Sequence, residues 1–92
     1  MGRSQRLRPA RLAAKLLQIR LDLGLTQPQM IELLDYQGSP LFIGYISQFE
    51  QDKREPPLPL LLRYARVARV SLEVLVDDDL DLPKTIETHY NM

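Results

Sequence analysis

The first long segment of this chain carries apolar side chains at a helical spacing between a proline and a glycine. The spacing is four, three and four residues, in Leu12, Leu16, Ile19 and Leu23. This period places all of them on one face of an α-helix. Pro9 suits the first turn of a helix, and Gly24 suits the left-handed residue that commonly ends one. The sequence therefore predicts a buried helix from about Pro9 to Leu23.

A second, shorter helix is predicted after this glycine. Thr26 can cap it, because a threonine hydroxyl accepts from a backbone N–H of the first turn. Pro28 falls early in the same helix, where its missing N–H costs little. Apolar side chains again share a helical face, in Met30, Leu33 and Leu34. These signals predict a helix from about Gln27 to Asp35.

The third predicted helix follows a segment of turn-forming residues, 36–40. The spacing of Phe42, Ile46 and Phe49 defines a face that we expect to be buried. The helix ends near Gln51 and begins either at residues 40–41 or at residue 44, since a glycine inside a helix costs about 1 kcal/mol relative to alanine. The opposite face, which we expect to be available to a partner, carries Gly44, Gln48 and Gln51, flanked by Tyr45 and Ser47.

Two more helices are predicted after the proline-rich residues 56–59. Apolar residues at helical spacing predict the fourth helix, in Leu58, Leu61, Leu62, Ala65 and Ala68. Three basic residues lie on its predicted solvent face, Arg63, Arg66 and Arg69. Ser71 can cap a short fifth helix whose Leu72 and Leu75 face inward. No segment shows the alternation of a strand, so the predicted fold class is all-α with five helices.

Composition limits the chemistry of a chain of 92 residues. One small domain is expected from this length. With no cysteine and His89 as the one histidine, we expect neither a disulfide nor a metal site. No glycine-rich phosphate loop and no close pair of acids marks a pocket, so we expect neither a cofactor nor enzyme activity. The sequence shows no signal-peptide or membrane-spanning run, which predicts a cytoplasmic protein.

Charge is distributed unevenly, although the net charge is zero. Six basic residues precede the first acid: Arg3, Arg6, Arg8, Arg11, Lys15 and Arg20. Acids dominate after Val76, beginning with residues 77–79. The chain is therefore divided into a basic arm (1–8), a helical domain (9–76) and an acidic tail (77–92). The basic end either meets phosphate groups or is a solvated helix face.

Several short motifs follow one another in order along these helices. They are Arg20 with Gly24-Leu25-Thr26-Gln27, Ile46-Ser47 with Phe49-Glu50, Lys53-Arg54 with Pro56, and Leu61-Leu62, Ala65, Val70-Ser71-Leu72 and Leu75. In this order they resemble the XRE, or lambda-repressor-like, family of five-helix DNA-binding domains over residues 12–76. The resemblance implies a helix-turn-helix made of the second and third helices, with the third in the major groove of double-stranded DNA.

The resemblance also implies roles for single residues. Gln27 corresponds to a glutamine that contacts the DNA backbone, where the helix N-terminus also favours phosphate. Gln48 corresponds to a base-reading position, and its amide can donate to adenine N7 and accept from adenine N6. Lys53 and Arg54 correspond to a basic loop that meets the backbone. The remaining candidates for DNA contact are Gly44, Tyr45, Ser47 and Gln51.

Other readings of these residues are structural. Gln27 can be a solvated residue of a first helical turn, and the basic loop can be balanced by Asp52 and Glu55. Arg20 and Glu50 correspond to an internal ion pair of the family, which links the first helix to the third. We therefore assign this pair to the scaffold rather than to DNA contact.

The chain departs from the family pattern between the second and third helices. Eleven residues, 35–45, separate Leu34 from Ile46, which is longer than usual. The front of the third helix is then apolar, with Leu-Phe-Ile-Gly at residues 41–44. Such a front reads few base edges beyond a thymine methyl, and otherwise serves packing or protein binding. Asp52 stands where glycine is common, and aspartate tolerates the left-handed conformation.

Two functions of different class follow. The first is a sequence-specific, double-stranded DNA-binding transcriptional regulator that acts as a homodimer on a two-fold related site. The second is a protein-interaction module of the antitoxin or anti-repressor type, which uses residues 35–45 and the acidic tail. The ordered motifs favour the first function, and the zero net charge favours the second. A membrane partner is not expected.

Overall fold

The computed structural model describes residues 8–84, which form five α-helices and no strand. The helices are α1 (Leu12–Asp22), α2 (Gln27–Leu34), α3 (Ile43–Glu50), α4 (Leu58–Ala68) and α5 (Leu72–Val76). The all-α prediction is confirmed. Most of the predicted basic arm and the end of the acidic tail, with His89, lie outside the described residues. Within residues 8–84, no helix is long and apolar enough to cross a membrane.

One hydrophobic core joins all five helices. α1 packs against α3 and α5, α2 packs against α3 and α4, and α4 packs against α5. Every helix contributes to the largest fully buried side chains, which are Leu16, Ile19, Met30, Leu34, Ile46, Leu60, Tyr64 and Leu75. The four apolar residues that predicted α1 are all buried. Close packing of helical faces thus forms the core of a domain that has no disulfide.

α1 ends at the predicted left-handed glycine. Gly24 has a φ of +73°, and the N–H of Leu25 donates to the Arg20 carbonyl at 3.1 Å. The N–H of Gly24 also donates to a carbonyl of the last helical turn. The two hydrogen bonds form a Schellman motif, which satisfies carbonyl groups at the helix end. The helix begins at Leu12, later than predicted, because the preceding residues form a turn in which Leu12 N donates to Pro9 O at 3.4 Å.

α2 begins at the predicted cap. Thr26 Oγ1 accepts from the Gln29 N–H at 3.2 Å, and Gln29 Oε1 accepts from the Thr26 N–H at 2.8 Å. This reciprocal pair is a capping box. The helix ends at Leu34, and Asp35 takes a φ of +47°. Arg63 Nε donates to the Leu34 carbonyl at 2.7 Å, so Arg63 ties α4 to the end of α2 instead of facing solvent as predicted.

α4 turns a different face to the core from the one predicted. Leu58 and Leu62, which we placed on the apolar stripe, are 63% and 37% exposed. The buried side chains of this helix are Leu60, Leu61, Tyr64, Ala65, Val67 and Ala68. α4 is covered by α2 and by α5, so its buried face is wide and centred near Tyr64. Sequence spacing located the helix but not the middle of that face.

The connection between α2 and α3 also differs from the prediction. α3 begins at Ile43, so residues 35–42 contain no helix. Phe42 is the N-cap in an extended conformation, with φ −106° and ψ 156°, and is 59% exposed. The prediction that Phe42 belongs to the buried stripe is therefore wrong, because a residue ahead of the first helical turn does not follow the helical period. Leu41 packs against the core instead.

Candidate nucleic-acid interface

An ion pair links α1 to α3 and sets their relative position. Arg20 Nε and Nη2 donate to the two carboxylate oxygens of Glu50 at 2.7 and 3.0 Å, and Arg20 Nη1 donates to the Leu25 carbonyl at 2.9 Å. The side chains of Arg20 and Glu50 are 14% and 5% exposed. The hydrogen bond with Glu50 raises the pKa of Arg20 above its ordinary value. This is the scaffold pair that the resemblance implies.

Gln27, at the start of α2, is partly engaged within the protein. Its Nε2 donates to Glu50 Oε1 at 3.2 Å, so one amide hydrogen braces the ion pair. In the same turn, the N–H of Gln29 is capped and Pro28 has no N–H. No described residue accepts from the backbone N–H of Gln27 or from its second amide hydrogen, so both can donate to a phosphate. This helix end therefore offers fewer donors than an uncapped one.

The predicted partner face of α3 lies largely on the outer side of the helix, although Tyr45 also packs against the core. Gly44 and Gln51 are exposed, and Tyr45, Ser47 and Gln48 are half-buried. A Cβ atom built on Gly44 would meet nothing within 4 Å, so the helix backbone is open to close approach there. Ser47 Oγ accepts from Gln51 Nε2 at 2.8 Å, which joins two polar side chains one turn apart.

α3 ends in a turn that positions the basic loop. The N–H of Lys53 donates to the Gln48 carbonyl at 2.8 Å, and the N–H of Asp52 donates to the Phe49 carbonyl at 3.3 Å. Asp52 has a φ of +61°. This is the Schellman pattern that also ends α1, with aspartate in the left-handed position instead of glycine. The turn places Lys53 and Arg54 at the exposed end of α3.

The acid of this turn is paired from another part of the chain. Arg8 Nη1 lies 3.3 Å from Asp52 Oδ1 and donates to the Asp52 carbonyl at 3.2 Å. Both side chains are substantially exposed, so the pair adds little stability. Its effect is on charge, because Asp52 is partnered by Arg8 and not by the basic loop beside it.

Arg54 folds back over the end of α3. Its Nε donates to Gln48 Oε1 at 2.7 Å, and its guanidinium carbon lies 4.5 Å from the centroid of the Tyr45 ring. Phe42 meets Tyr45 edge to face, with ring centroids 5.5 Å apart and planes inclined at 68°. A cation over an aromatic ring at an exposed site contributes about 0.5–1 kcal/mol. The sequence indicated Gln48 and Arg54 separately, and the structure joins them.

Lys15, from the basic start of the chain, is turned into the protein. It is 4% exposed, and its Nζ donates to the carbonyls of Val74 and Asp77 at 2.7 and 3.0 Å. Burial lowers the pKa of Lys15, because it disfavours the charged form. Lys15 thus caps the C-terminal end of α5, and its amino group is not available to a phosphate.

Asp78 closes the N-terminal end of α1. Its carboxylate accepts from the backbone N–H groups of Arg11 at 3.0 Å and Ala10 at 2.8 Å, and these bonds hold the pKa of Asp78 below its ordinary value. The Arg11 guanidinium donates to the Asp78 carbonyl at 2.7 Å and pairs with the Asp81 carboxylate. This contact was not predicted from the sequence. The opposite charges of the two chain ends were the signal that could have suggested it.

Comparisons with protein-family models, with curated proteins and with solved structures find no match to this chain. What the site can bind therefore follows from its own residues. Around the exposed side of α3 they supply amide groups, an open backbone at a glycine and two basic side chains. Within residues 8–84, no group of histidines or acids is arranged to hold a metal ion.

Proposed function

We propose that this chain is a sequence-specific, double-stranded DNA-binding transcriptional regulator of the lambda-repressor-like, or XRE, type. In this proposal α2 and α3 form the helix-turn-helix, and α3 lies in the major groove. The observation that carries it is the polar outer side of α3, where Gly44, Gln48 and Gln51 lie with Lys53 and Arg54 at the C-terminal end. Amides suit base edges, and cations suit phosphates.

The packing of α3 supports its role as the reading helix. Ile46 and Phe49 are buried in the core that α3 shares with α1 and α2, so the helix has one position. The ion pair between Arg20 and Glu50 holds it from α1. Side chains on a helix fixed in this way keep the geometry that base recognition needs. Gly44, with no side chain, lets the helix backbone come close to the floor of the groove.

The small number of charges around α3 is the reason that the proposal includes two copies of the chain. The net charge is zero, so attraction to DNA depends on local groups such as Lys53 and Arg54. Each phosphate neutralised adds about 0.9 to the slope of log affinity against log salt concentration, and a few contacts per chain give modest affinity. A homodimer on a two-fold related site doubles these contacts, and we include it in the proposal.

Binding to mixed genomic DNA fragments at two salt concentrations tests the proposal. We expect binding at low salt that weakens steeply as the salt concentration rises, because counterions return to the phosphates. Sedimentation of the complex with a selected duplex should give two chains per site. Absence of binding at low salt would contradict the proposal.

One observation favours a second function, a protein-interaction module. Phe42 and Ile43 at the front of α3 are 59% and 49% exposed, and adjacent exposed apolar groups are typical of protein contacts. The described part of the acidic tail lies on α1, so residues 35–45 are the surface for this alternative. This function predicts that the unaltered chain does not bind DNA. It also predicts that the double variant Phe42→Ser with Ile43→Ser loses binding to the protein partner. The first function predicts DNA binding by the unaltered chain.

A further inference from the structure

Gln48 and Arg54 form one hydrogen-bonded unit at the C-terminal end of α3. Arg54 Nε donates to Gln48 Oε1 at 2.7 Å. A guanidinium has donors and no acceptor, so the Gln48 atom that faces it has to be the oxygen. The orientation of the amide is therefore determined by the chemistry of its neighbour, and the amide nitrogen is directed away from Arg54.

The guanidinium is itself held in place by aromatic rings. Its carbon lies 4.5 Å from the centroid of the Tyr45 ring, and Phe42 packs edge-on against that ring. Phe42 is exposed because it precedes the first turn of α3, so the apolar front of the helix acquires a structural role here. Tyr45 is a positioning residue for Arg54, which in turn orients Gln48.

The polar atoms that this unit offers to a ligand are donors. Gln48 keeps both hydrogens of Nε2, and no described residue accepts a hydrogen bond from Nη1 or Nη2 of Arg54. The amide oxygen of Gln48 has a second lone pair, but a positive charge lies directly beside it. A ligand group that donates a hydrogen bond to this oxygen would be repelled by the positive guanidinium beside it. A ligand group that accepts hydrogen bonds would be attracted by the guanidinium.

The edges of the bases in the major groove differ in the groups that they present. Guanine presents two adjacent acceptors, N7 and O6, whereas thymine presents one acceptor, O4, beside its methyl group. Adenine presents one acceptor and the N6 amino donor, and cytosine presents an amino donor. An isolated glutamine matches adenine, but in this chain the guanidinium on its oxygen would face the adenine amino group. We infer that Gln48 and Arg54 together read guanine, an inference that rests on the proposed DNA binding.

Selection of duplexes from a random library, with the full chain at fixed salt, tests this inference. We expect a two-fold related consensus that contains one invariant guanine per half-site. Replacing that G·C pair by A·T should weaken binding about 5- to 150-fold. Replacing the guanine by 7-deazaguanine, which lacks the N7 acceptor and still pairs with cytosine, should also weaken binding.

Arg54→Ala gives the sharpest outcome because it releases the amide oxygen of Gln48. We expect this variant to change its preferred base at that position from guanine to adenine, since the released amide can contact adenine with both of its groups. The matched control is Lys53→Ala, which removes an equal charge from the neighbouring position. It should weaken binding to all sequences alike and leave the base preference unchanged.

Tyr45 variants separate positioning from direct contact. Tyr45→Phe keeps the ring under the guanidinium and should keep the preference for guanine, whereas Tyr45→Leu should reduce that preference. Lys53 and Arg54 are exposed, so circular dichroism should report unchanged helix content and melting for their variants. Tyr45 is half-buried and also packs against the core, so the base preference of Tyr45→Leu is measured well below its melting temperature.

The failures of the inference and of the proposed function are distinguishable. Steep salt-dependent binding with adenine as the preferred base, or an Arg54→Ala variant that still prefers guanine, would overturn the inference and leave DNA binding standing. No binding of any duplex at low salt would overturn both.

Discussion

Two basic regions of this domain, at the start of α1 and at the end of α3, differ in what their charges contact. At the start of α1, the N-cap residue Arg11 and Lys15 meet backbone carbonyls and the acidic segment 77–81. At the end of α3, Lys53 and Arg54 remain exposed. A charge with a partner inside the protein stabilises the fold, whereas a charge at the surface contributes to the field that a polyanion meets. The number of basic residues in a segment is therefore a poor guide to which side attracts phosphate.

The strongest test of this contrast compares Arg20 in the scaffold with Gln48 on the outer side of α3. Arg20→Ala leaves the buried carboxylate of Glu50 with Gln27 as its remaining side-chain partner. Removal of one partner of a buried ion pair costs roughly 3–5 kcal/mol. We expect the midpoint of unfolding to move to a lower denaturant concentration by the amount that corresponds to this free energy. The slope of the unfolding free energy against denaturant concentration should stay unchanged. Gln48→Ala, as the control, should change the free energy of unfolding by less than about 0.5 kcal/mol. Equal losses of unfolding free energy in the two variants would contradict the assignment of Arg20 to the scaffold and of Gln48 to the outer side of α3.

Lys15→Ala should have the next largest effect. It removes two charge-assisted hydrogen bonds, to the carbonyls of Val74 and Asp77, and the Asp77 carbonyl then keeps the N–H of Leu80 as its donor. We expect a loss of roughly 2–3 kcal/mol in the free energy of unfolding. Arg66→Ala, on the exposed side of α4, is the matched control and should be nearly neutral. A neutral Lys15→Ala would show that the hydrogen bonds of Lys15 to the end of α5 do not support the fold.

Asp78→Asn should lower the melting temperature in a way that depends on pH. The pKa of Asp78 is depressed in the folded chain by the N–H groups of Arg11 and Ala10, so its ionised form contributes stability above the unfolded pKa of about 3.9. That contribution is lost as the pH falls through the folded pKa, which lies lower. The gap in melting temperature between wild type and variant should therefore be constant near neutral pH and shrink below about pH 4.

The control for that titration is Asp79→Asn. Asp79 is an exposed neighbour whose backbone N–H, and not its carboxylate, makes a hydrogen bond at 2.9 Å. We expect no comparable gap at any pH. If both variants melt alike at neutral pH, the cap on α1 by Asp78 does not stabilise the fold.

The smallest effect is expected for Lys53→Ala, and it should appear in how strongly DNA affinity depends on salt concentration. If Lys53 contacts a phosphate, its removal lowers the slope of log affinity against log salt concentration by about one. Arg11→Ala should leave the slope unchanged, because Arg11 is engaged by the segment that contains Asp78 and Asp81. A larger change for Arg11 than for Lys53 would reverse the assignment of the two sides.

Elements that depend on neighbouring residues could be predicted from the sequence. The stop of α1 at Gly24 and the cap of α2 at Thr26 were predictable, because each is completed within a few positions. Phe42 was not, since its exposure depends on where α3 begins. The middle of the buried face of α4 was not predictable either, because α2 and α5 together decide which of its residues are covered.

The sequence alone determined that the described chain is helical, where α2 begins, close to which residues α1 and α3 end, and which side of α3 is polar. The tertiary structure decided which charges are available. Arg11 and Asp78 are 67 positions apart and Gln48 and Arg54 are six apart across a turn, and no local spacing rule relates either pair. Helical period depends on backbone geometry, which is local. The partner of a charge depends instead on which distant segment the tertiary fold brings beside it. For that reason Gln48 considered alone predicts an adenine contact, whereas its bond with Arg54, which only the tertiary structure supplies, leads us to infer a guanine contact.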